Sequence, residues 1–297
     1  MVKWRGRRRS DNVDDRRGSG GTGAAGLGGL AFVILRFVLG RFGVAGVVVL
    51  VGGFFALRSM GLDPVALLAG APTGGAPVQL SASDEEAGAF AEVILAETED
   101  VWGRRFADAG ARYAAPRMVL FSRRTQSGCG FASSALGPFY CPADKSVYLD
   151  TAFFGELGRR FGAPGDFAAA YVIAHEVGHH VQTITGVSER VRAAQSRAGK
   201  TEQNALQVRM ELQADCYAGV WAHDADRTAG ILEPGDIEEG LRAASAIGDD
   251  TLQRRAGREV KRENFTHGSS EQRVRWFTFG YRNGDPEACD TFSADRV

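Results

Sequence analysis

The sequence predicts an α+β domain, mostly helical with a small sheet, preceded by one transmembrane helix. Three features of the 297-residue chain support this prediction. A long apolar stretch follows a basic N-terminal segment. Two short runs, Arg117–Ser122 and Lys145–Asp150, have the composition of strands, and from about residue 166 onward the apolar residues recur at helical spacing. A few strands followed by a series of helices are typical of α+β domains.

The first 26 residues are expected to form a basic, disordered, cytoplasmic segment. Residues 1–20 carry seven lysines and arginines, and glycine and serine follow them. A segment of this composition buries too little apolar surface to offset the entropy lost on folding.

An apolar stretch at residues 27–58 is expected to anchor the chain in the cell (inner) membrane. Its uninterrupted part, Phe42–Leu57, has 16 residues, and adding Phe37–Gly40, with Arg41 reaching toward the headgroups, gives 21; a spanning helix needs about 20. The alternatives are a buried core helix, which the glycine content disfavours, and a cleaved signal peptide, which the long charged region disfavours. The positive charge before the helix places the N-terminus in the cytoplasm and the rest of the chain outside.

Residues 59–80 are predicted to be a linker, and residues 81–297 the folded domain. The linker is rich in Gly, Pro and Ala, and Ser83–Glu86 then has the spacing of a helix capping box. The net charge of −1 combines basic residues at the start with an acidic remainder, so no nucleic-acid surface is predicted. Further helices are predicted at about 166–184, 188–198, 201–224, 235–248 and 269–280.

The pentapeptide at residues 175–179 reads H-E-V-G-H and follows an apolar run at 167–174. On a helix, His175 and His179 lie one turn apart on one face and can bind one zinc ion. Glu176 can then act as general base on a water at the metal. The alternative, a surface helix with two solvated histidines, is disfavoured because the preceding residues are apolar.

A second segment supplies a third ligand. Glu211 and Asp215 are four residues apart and share a helical face. Glu211 can complete a set of three protein ligands, and Asp215 can accept the free N–H of a ligand histidine. Alone, this pair would be interpreted as a solvated acidic face; after H-E-x-x-H we interpret it as part of a metal site.

The two motifs together resemble zincins of the thermolysin-like, or gluzincin, type, whose third ligand is a glutamate. A metzincin is disfavoured because Thr185 occupies the position where that class has its third histidine. Nearly the whole chain resembles the bacterial membrane-anchored "putative neutral zinc metallopeptidase" family. The resemblance implies a zincin-like fold, zinc binding and peptidase activity, and names no substrate. The stretches that carry it are Trp4–Arg8, Ser10–Arg17, His175–Gln182, Glu211–Gly219 and Thr266–Phe277.

Three further histidines lie outside the H-E-x-x-H motif. His180 points about 100° away from His179 on a helix and is interpreted as a packing or supporting residue. His223 is interpreted as an ordinary surface residue. His267 precedes a helix start, and because related zincins use a later histidine to stabilise the oxyanion, we expect it either in that catalytic role or in a structural cap. Arg273 is a weaker candidate for the same role, or for pairing with a buried carboxylate.

The four cysteines all follow the apolar stretch, and none forms a C-x-x-C motif. Four cysteines allow three pairings, among which sequence alone does not choose. We expect Cys129–Cys141, which would close a turn-rich loop, and Cys216–Cys289, which would join the Glu211 helix to the C-terminal tail. Such bridges suit an oxidising compartment.

The sequence therefore predicts a membrane-anchored zinc metallopeptidase. His175, His179 and Glu211 would hold one Zn²⁺, Glu176 would be the general base, and His267 would stabilise the oxyanion. The expected partners are a peptide or protein substrate, and the membrane through one helix, with no nucleic acid. Two alternatives stay open: a zinc-dependent scaffold with little catalysis, and a non-peptide amide hydrolase acting on cell-wall material.

Overall fold

The computed structural model describes residues 1–18 and 80–297. Met1–Arg16 and Leu80–Val297 form one compact unit. Its elements, in chain order, are β1 (Val13–Asp15), α1 (Ala82–Asp108), β2 (Arg117–Phe121), β3 (Arg124–Ser127), β4 (Gly130–Ser133), β5 (Phe139–Cys141), β6 (Ser146–Asp150), α2 (Ala152–Arg159), α3 (Asp166–Ile184), α4 (Val187–Gln195), α5 (Lys200–Ala229), α6 (Asp236–Ala246), α7 (Asp249–Arg255) and α8 (Ser270–Asn283).

Helices α3, α5 and α8 form the centre of the core. Phe167, Tyr171, Trp221 and Phe277 are fully buried between them. Helices α5 and α8 approach with their backbones in contact: a Cβ on Gly280 would lie 2.0 Å from the Cys216 carbonyl oxygen. The absence of a side chain at this position therefore sets the distance between the two helices.

A small sheet covers one side of α3. Its strand order is β1-β2-β6-β5; β1, β2 and β6 run parallel, and β5 is an antiparallel edge strand. Strands β3 and β4 form a separate antiparallel hairpin, which the Cys129–Cys141 disulfide ties to the end of β5. The mostly helical α+β architecture with a small sheet is as predicted.

Both expected disulfides are confirmed. Cys129 pairs with Cys141 across 12 residues, and Cys216 on α5 pairs with Cys289 across 73 residues.

The first helix begins slightly earlier than expected: its capping box joins Ser81 and Asp84 instead of Ser83 and Glu86.

The expectation that the N-terminal segment is disordered is wrong for the residues described. Strand β1 pairs with β2 in parallel, Val13 opposite Met118. Val2 is buried, and the Trp4 ring packs edge-on against Phe90. The basic residues are ordered because carboxylates of α1 pair with them: Arg5 with Glu86, Arg7 with Glu97, Arg8 with Glu99 and Asp100, and Arg9 with Glu92.

The transmembrane helix in the fold-class prediction is not supported and is corrected. Among residues 1–18 and 80–297, no helix combines the length and apolar character that a membrane crossing needs. The predicted span at 27–58 lies outside the described residues. Moreover, β1 and β2 belong to the same sheet. These two paired strands lie on the same side of any membrane.

Candidate metal centre

Helices α3 and α5 bring three potential metal ligands together. The His175 Nε2 lies 3.2 Å from Glu211 Oε2, and the His179 Nε2 lies 3.5 Å from the same oxygen. All three ligand atoms are within 4.8 Å of one another. Close approach of the helices makes this possible: a Cβ on Gly178 would lie 3.0 Å from the Ala214 carbonyl oxygen. Two imidazoles and one carboxylate are a donor set that suits zinc and leaves a position for water.

A buried charged network orients His175. The His175 Nδ1 lies 2.9 Å from Asp215 Oδ1, so that its N–H can donate to the carboxylate and Nε2 faces the other ligands. Arg273 donates two hydrogen bonds of 2.8 Å to Asp215, and the Tyr171 hydroxyl donates a third of 2.5 Å. The structure thus brings Asp215 into contact with His175. Arg273 pairs with a buried carboxylate, which is one of its two expected roles.

Amide side chains support the other two ligands. The His179 Nδ1 lies 2.9 Å from Gln182 Oε1, and Gln207 Nε2 donates a 2.8 Å hydrogen bond to Glu211 Oε1. The sequence interpretation missed these glutamines, and Tyr171 with them. Their spacing from the ligands was a usable signal, because a residue three or four positions from a helical ligand lies on the same face.

The charges of the centre shift its pKa values strongly. Burial alone would lower the pKa of His175, but the carboxylates of Asp215 and Glu211 raise it to about 9. Burial alone would raise the pKa of Glu211, yet the two histidines bring it well below its usual range. Burial likewise opposes ionisation of Asp215, but Arg273 and His175 hold its pKa at about 2. Positive charge in the centre therefore stabilises the ionised form of Glu211, and a bound cation can supply that charge.

Glu176 lies beside the edge strand of the sheet. Its side chain is buried, and burial raises its pKa, although the nearby histidines and the Tyr140 backbone amide partly offset that effect. A carboxyl group with a raised pKa suits proton transfer near neutral pH. Strand β5, which contains Tyr140, is thus placed to orient the group predicted to be the general base.

His267 opens onto the same cleft as the three ligands. Its Nδ1 lies 3.0 Å from the Thr266 hydroxyl and 3.4 Å from Asp249 Oδ1. The hydrogen bond to Asp249 raises the pKa of His267, although burial acts against it. A protonated imidazole there can donate a hydrogen bond to an oxyanion. The helix cap itself is made by Ser269, whose side chain accepts from the Gln272 backbone amide.

The remaining two histidines are not among the three converging ligands. The His180 ring lies between the Tyr140 hydroxyl at 3.1 Å and the Ala114 carbonyl at 2.6 Å, and burial lowers its pKa to about 4. His180 therefore supports the packing of β5 on α3. His223 is half-buried, and its Nδ1 donates a 2.7 Å hydrogen bond to the Tyr281 carbonyl. It is therefore more constrained than the ordinary surface residue that the sequence predicted.

A cleft of about 630 Å³ contains the centre. Its lining combines the half-buried apolar side chains Phe153, Phe161, Ile247 and Leu252 with polar side chains of α4 and α5. A cleft of this size with a few convergent polar groups is the usual form of a site for an extended small ligand.

Comparisons with known proteins agree with this geometry. A family model described as "Putative neutral zinc metallopeptidase" matches residues 2–292 of the chain. "Uncharacterized protein YpfJ" of Escherichia coli K12 is 47% identical over 294 residues, which cover 98% of this chain and 99% of that protein. "Uncharacterized protein Rv2575" of Mycobacterium tuberculosis H37Rv is 51% identical over 193 residues, which cover 61% of this chain and 64% of that protein. No solved structure matches.

Proposed function

Because the chain belongs to the family of "putative neutral zinc metallopeptidases", we propose that it is a zinc-dependent enzyme that hydrolyses peptide bonds. The observation that carries the proposal is the convergence of His175, His179 and Glu211 in a cleft that also contains Glu176 and His267. The residues match the needs of metal-assisted hydrolysis: three ligands, a general base and an oxyanion donor.

In this proposal His175, His179 and Glu211 hold one zinc ion. When bound, zinc would act as a Lewis acid and lower the pKa of a coordinated water to about 7. Glu176 accepts a proton as water attacks the peptide carbonyl, and then donates it to the leaving nitrogen. His267 donates a hydrogen bond to the oxyanion, and Asp249 keeps its imidazole protonated for that purpose.

The disulfides bear on where the enzyme works. All four cysteines are paired, and stable disulfides are characteristic of oxidising compartments. We therefore propose that the folded unit, including its N-terminal strand, functions outside the cytoplasm.

Two substitutions test the proposal on the full-length protein. Glu211→Gln should lower zinc content sharply, because it removes the only anionic ligand of the centre. Glu176→Gln should keep about one zinc per chain and lose cleavage of a peptide library by a factor of at least about 10², since general-base catalysis contributes about 10²–10⁴. Glu189→Gln, at an exposed position on α4, is the matched control for both.

The outcomes separate the enzyme from its alternatives. Full zinc retention in Glu211→Gln would remove that residue from the site. A wild-type protein that binds zinc and cleaves no peptide would contradict the peptidase and favour a zinc-dependent scaffold, unless it releases amines from cell-wall fragments, in which case the non-peptide amidase is favoured.

A further inference from the structure

The two histidine ligands are supported in different ways. His175 donates to a carboxylate that is held by a guanidinium, whereas His179 faces the neutral amide of Gln182. A carboxylate can only accept, so the orientation of His175 is unambiguous. An amide can accept through oxygen or donate through nitrogen, so the orientation of His179 depends on which way the Gln182 amide is turned.

A backbone carbonyl and a second glutamine together determine that orientation. The Gln182 Nε2 donates to the Met210 carbonyl at 2.7 Å and to Gln213 Oε1 at 3.1 Å. The Gln213 Nε2 in turn donates to the Cys289 carbonyl at 2.9 Å. Both glutamines are buried, at 0% and 5% exposure, so water is not available to replace these partners. With carbonyl acceptors at one end, the amides can be arranged only with the Gln182 oxygen toward His179.

The acceptor at the far end is firmly held. Cys289 is joined to Cys216 on α5 by a disulfide. Two residues on, the Thr291 hydroxyl donates a 2.6 Å hydrogen bond to the Arg209 carbonyl, and the Arg209 guanidinium contacts the carbonyl oxygen of Thr291. The Cys289 carbonyl therefore keeps its place relative to α5, which also carries Gln213.

We propose that Gln182 and Gln213 are positioning residues that set the tautomer of His179, and that the Cys216–Cys289 disulfide anchors them. With Gln182 Oε1 accepting, His179 carries its proton on Nδ1 and presents the Nε2 lone pair to the metal. A reversed Gln182 amide would favour the tautomer with the proton on His179 Nε2, and a protonated Nε2 cannot bind zinc. The inference rests on the metal-binding part of the proposed function and does not depend on peptide cleavage.

Gln182 is tested by zinc affinity in full-length protein, measured by competition with a chelator. Gln182→Met removes the acceptor and should weaken zinc binding about 10- to 100-fold, the usual effect of losing an outer-shell partner. Gln182→Glu keeps an acceptor facing His179 while losing both donated hydrogen bonds, and should bind zinc far more tightly than Gln182→Met. A merely structural role gives the opposite order, because both variants lose the two donated hydrogen bonds and only Gln182→Glu adds a buried charge. That order would overturn the proposal.

The anchor is tested by combining substitutions. The double variant Cys216→Ser with Cys289→Ser should weaken zinc binding about tenfold, toward the lower end of the same range. In a Gln213→Met background the same two serines should cause little further loss, since the connection is already broken. The matched control, Cys129→Ser with Cys141→Ser, should leave zinc affinity near that of the wild type.

Three results would distinguish the possible failures. Removing the Cys216–Cys289 disulfide could lower zinc affinity equally in the wild-type and Gln213→Met backgrounds. That result would show that the disulfide does not act through the amides, and would overturn the anchoring. Wild-type affinity in both Gln182→Met and Gln213→Met would overturn the positioning roles alone. A wild-type protein that binds no zinc would refute the proposed function itself.

Discussion

At the scale of single residues, the charges around His175 explain why the centre suits a cation. Asp215 and Arg273 form a fully buried ion pair, with 0% and 2% of their side chains exposed. This pair is electrically neutral, so the charge of Glu211 remains to compensate a metal ion. Removing one member of such a pair leaves an unpaired buried charge and commonly costs about 3–5 kcal/mol. Arg273 is therefore engaged by Asp215 and is a poor candidate for the oxyanion donor.

A prediction at this scale concerns the pH dependence set by His267. Its pKa lies above 6.5 because Asp249 stabilises the imidazolium, and activity should decline as pH rises through that raised pKa. Asp249→Asn removes the carboxylate, so the pKa should fall and the alkaline limb of the kcat/KM profile should move to lower pH. His267→Ala should lower kcat about 10²- to 10³-fold.

The neighbouring carboxylate is the control for this experiment. Asp250 accepts hydrogen bonds from Ser270 and Arg254, so Asp250→Asn should leave the alkaline limb where it is. An unchanged pH profile in Asp249→Asn, or an unchanged kcat in His267→Ala, would exclude His267 from the chemistry.

The convergence of His175 and His179 could be predicted from sequence because a helix places residues i and i+4 on one face, and no long-range information was needed to pair them. Placing Glu211 beside them required the H-E-x-x-H motif as context. The contact of Gln182 with His179 could have been predicted from its spacing, but the orientation of the Gln182 and Gln213 amides could not, because it depends in part on the Cys289 carbonyl, which only the tertiary fold brings to α5.

At the scale of helices and strands, the contact between α5 and α8 determines the geometry around His175. Helix α5 carries Asp215 and helix α8 carries Arg273, which must meet for the network to form. Glycine at position 280 lets the helices approach until a Cβ would lie 2.0 Å from the Cys216 carbonyl oxygen. Any side chain there must push the two helices apart.

Gly280→Ala should therefore destabilise the protein by about 1–3 kcal/mol through overpacking and weaken zinc binding as the ion pair is strained. Gly103→Ala is the matched control in α1, where a Cβ would meet nothing within 4 Å. There alanine should stabilise by about 0.5–1 kcal/mol, the usual difference in helix propensity. Thermal unfolding measures both. Equal changes in Tm for the two variants would mean that helix contact at Gly280 does not control stability.

Long helices were predicted well because their apolar periodicity extends over many turns. The helix predicted at 166–184 is observed as Asp166–Ile184. Short strands were missed: β3 reads R-T-Q-S and β5 has three residues, so neither shows an alternating apolar pattern. β3 pairs with β4 and β5 pairs with β6, each across a short connection, so backbone pairing and not a side-chain pattern defines these strands. β5 was missed although it contacts the predicted general base.

At the scale of the whole molecule, the N-terminal segment is part of the folded unit that contains the candidate metal centre. The arginines led to the prediction of disorder because composition alone does not show which carboxylates pair with them. In the fold, carboxylates of α1 compensate them, and Lys3 adds a backbone hydrogen bond of 2.8 Å to Ile231. Exposed ion pairs contribute little individually. Strand pairing through β1, the burial of Val2 and the packing of Trp4 against Phe90 therefore provide most of the attachment.

A prediction about stability follows from this attachment. Deleting residues 2–16 should lower the Tm of the protein by several degrees, because it exposes the β2 edge and apolar surface under Val2. In the full-length chain, Arg7→Glu should also lower Tm, since Arg7 is 24% exposed and binds both Glu97 and the Ala229 carbonyl. Arg9→Glu, at a side chain that is 61% exposed and pairs with Glu92, is the matched control and should have little effect.

The same attachment predicts topology in the cell. Because β1 and β2 share one sheet, epitope tags placed before Met1 and after Val297 should be digested by an added protease together or not at all. The tag and Tm experiments test independent consequences of one contact. Tags that report opposite sides of a membrane, or a deletion of 2–16 that leaves Tm unchanged, would refute the packing of the N-terminal strand against β2. If both results agree with the prediction, a truncated protein that begins near residue 80 lacks a strand of its own sheet, and activity assays require residues 1–16.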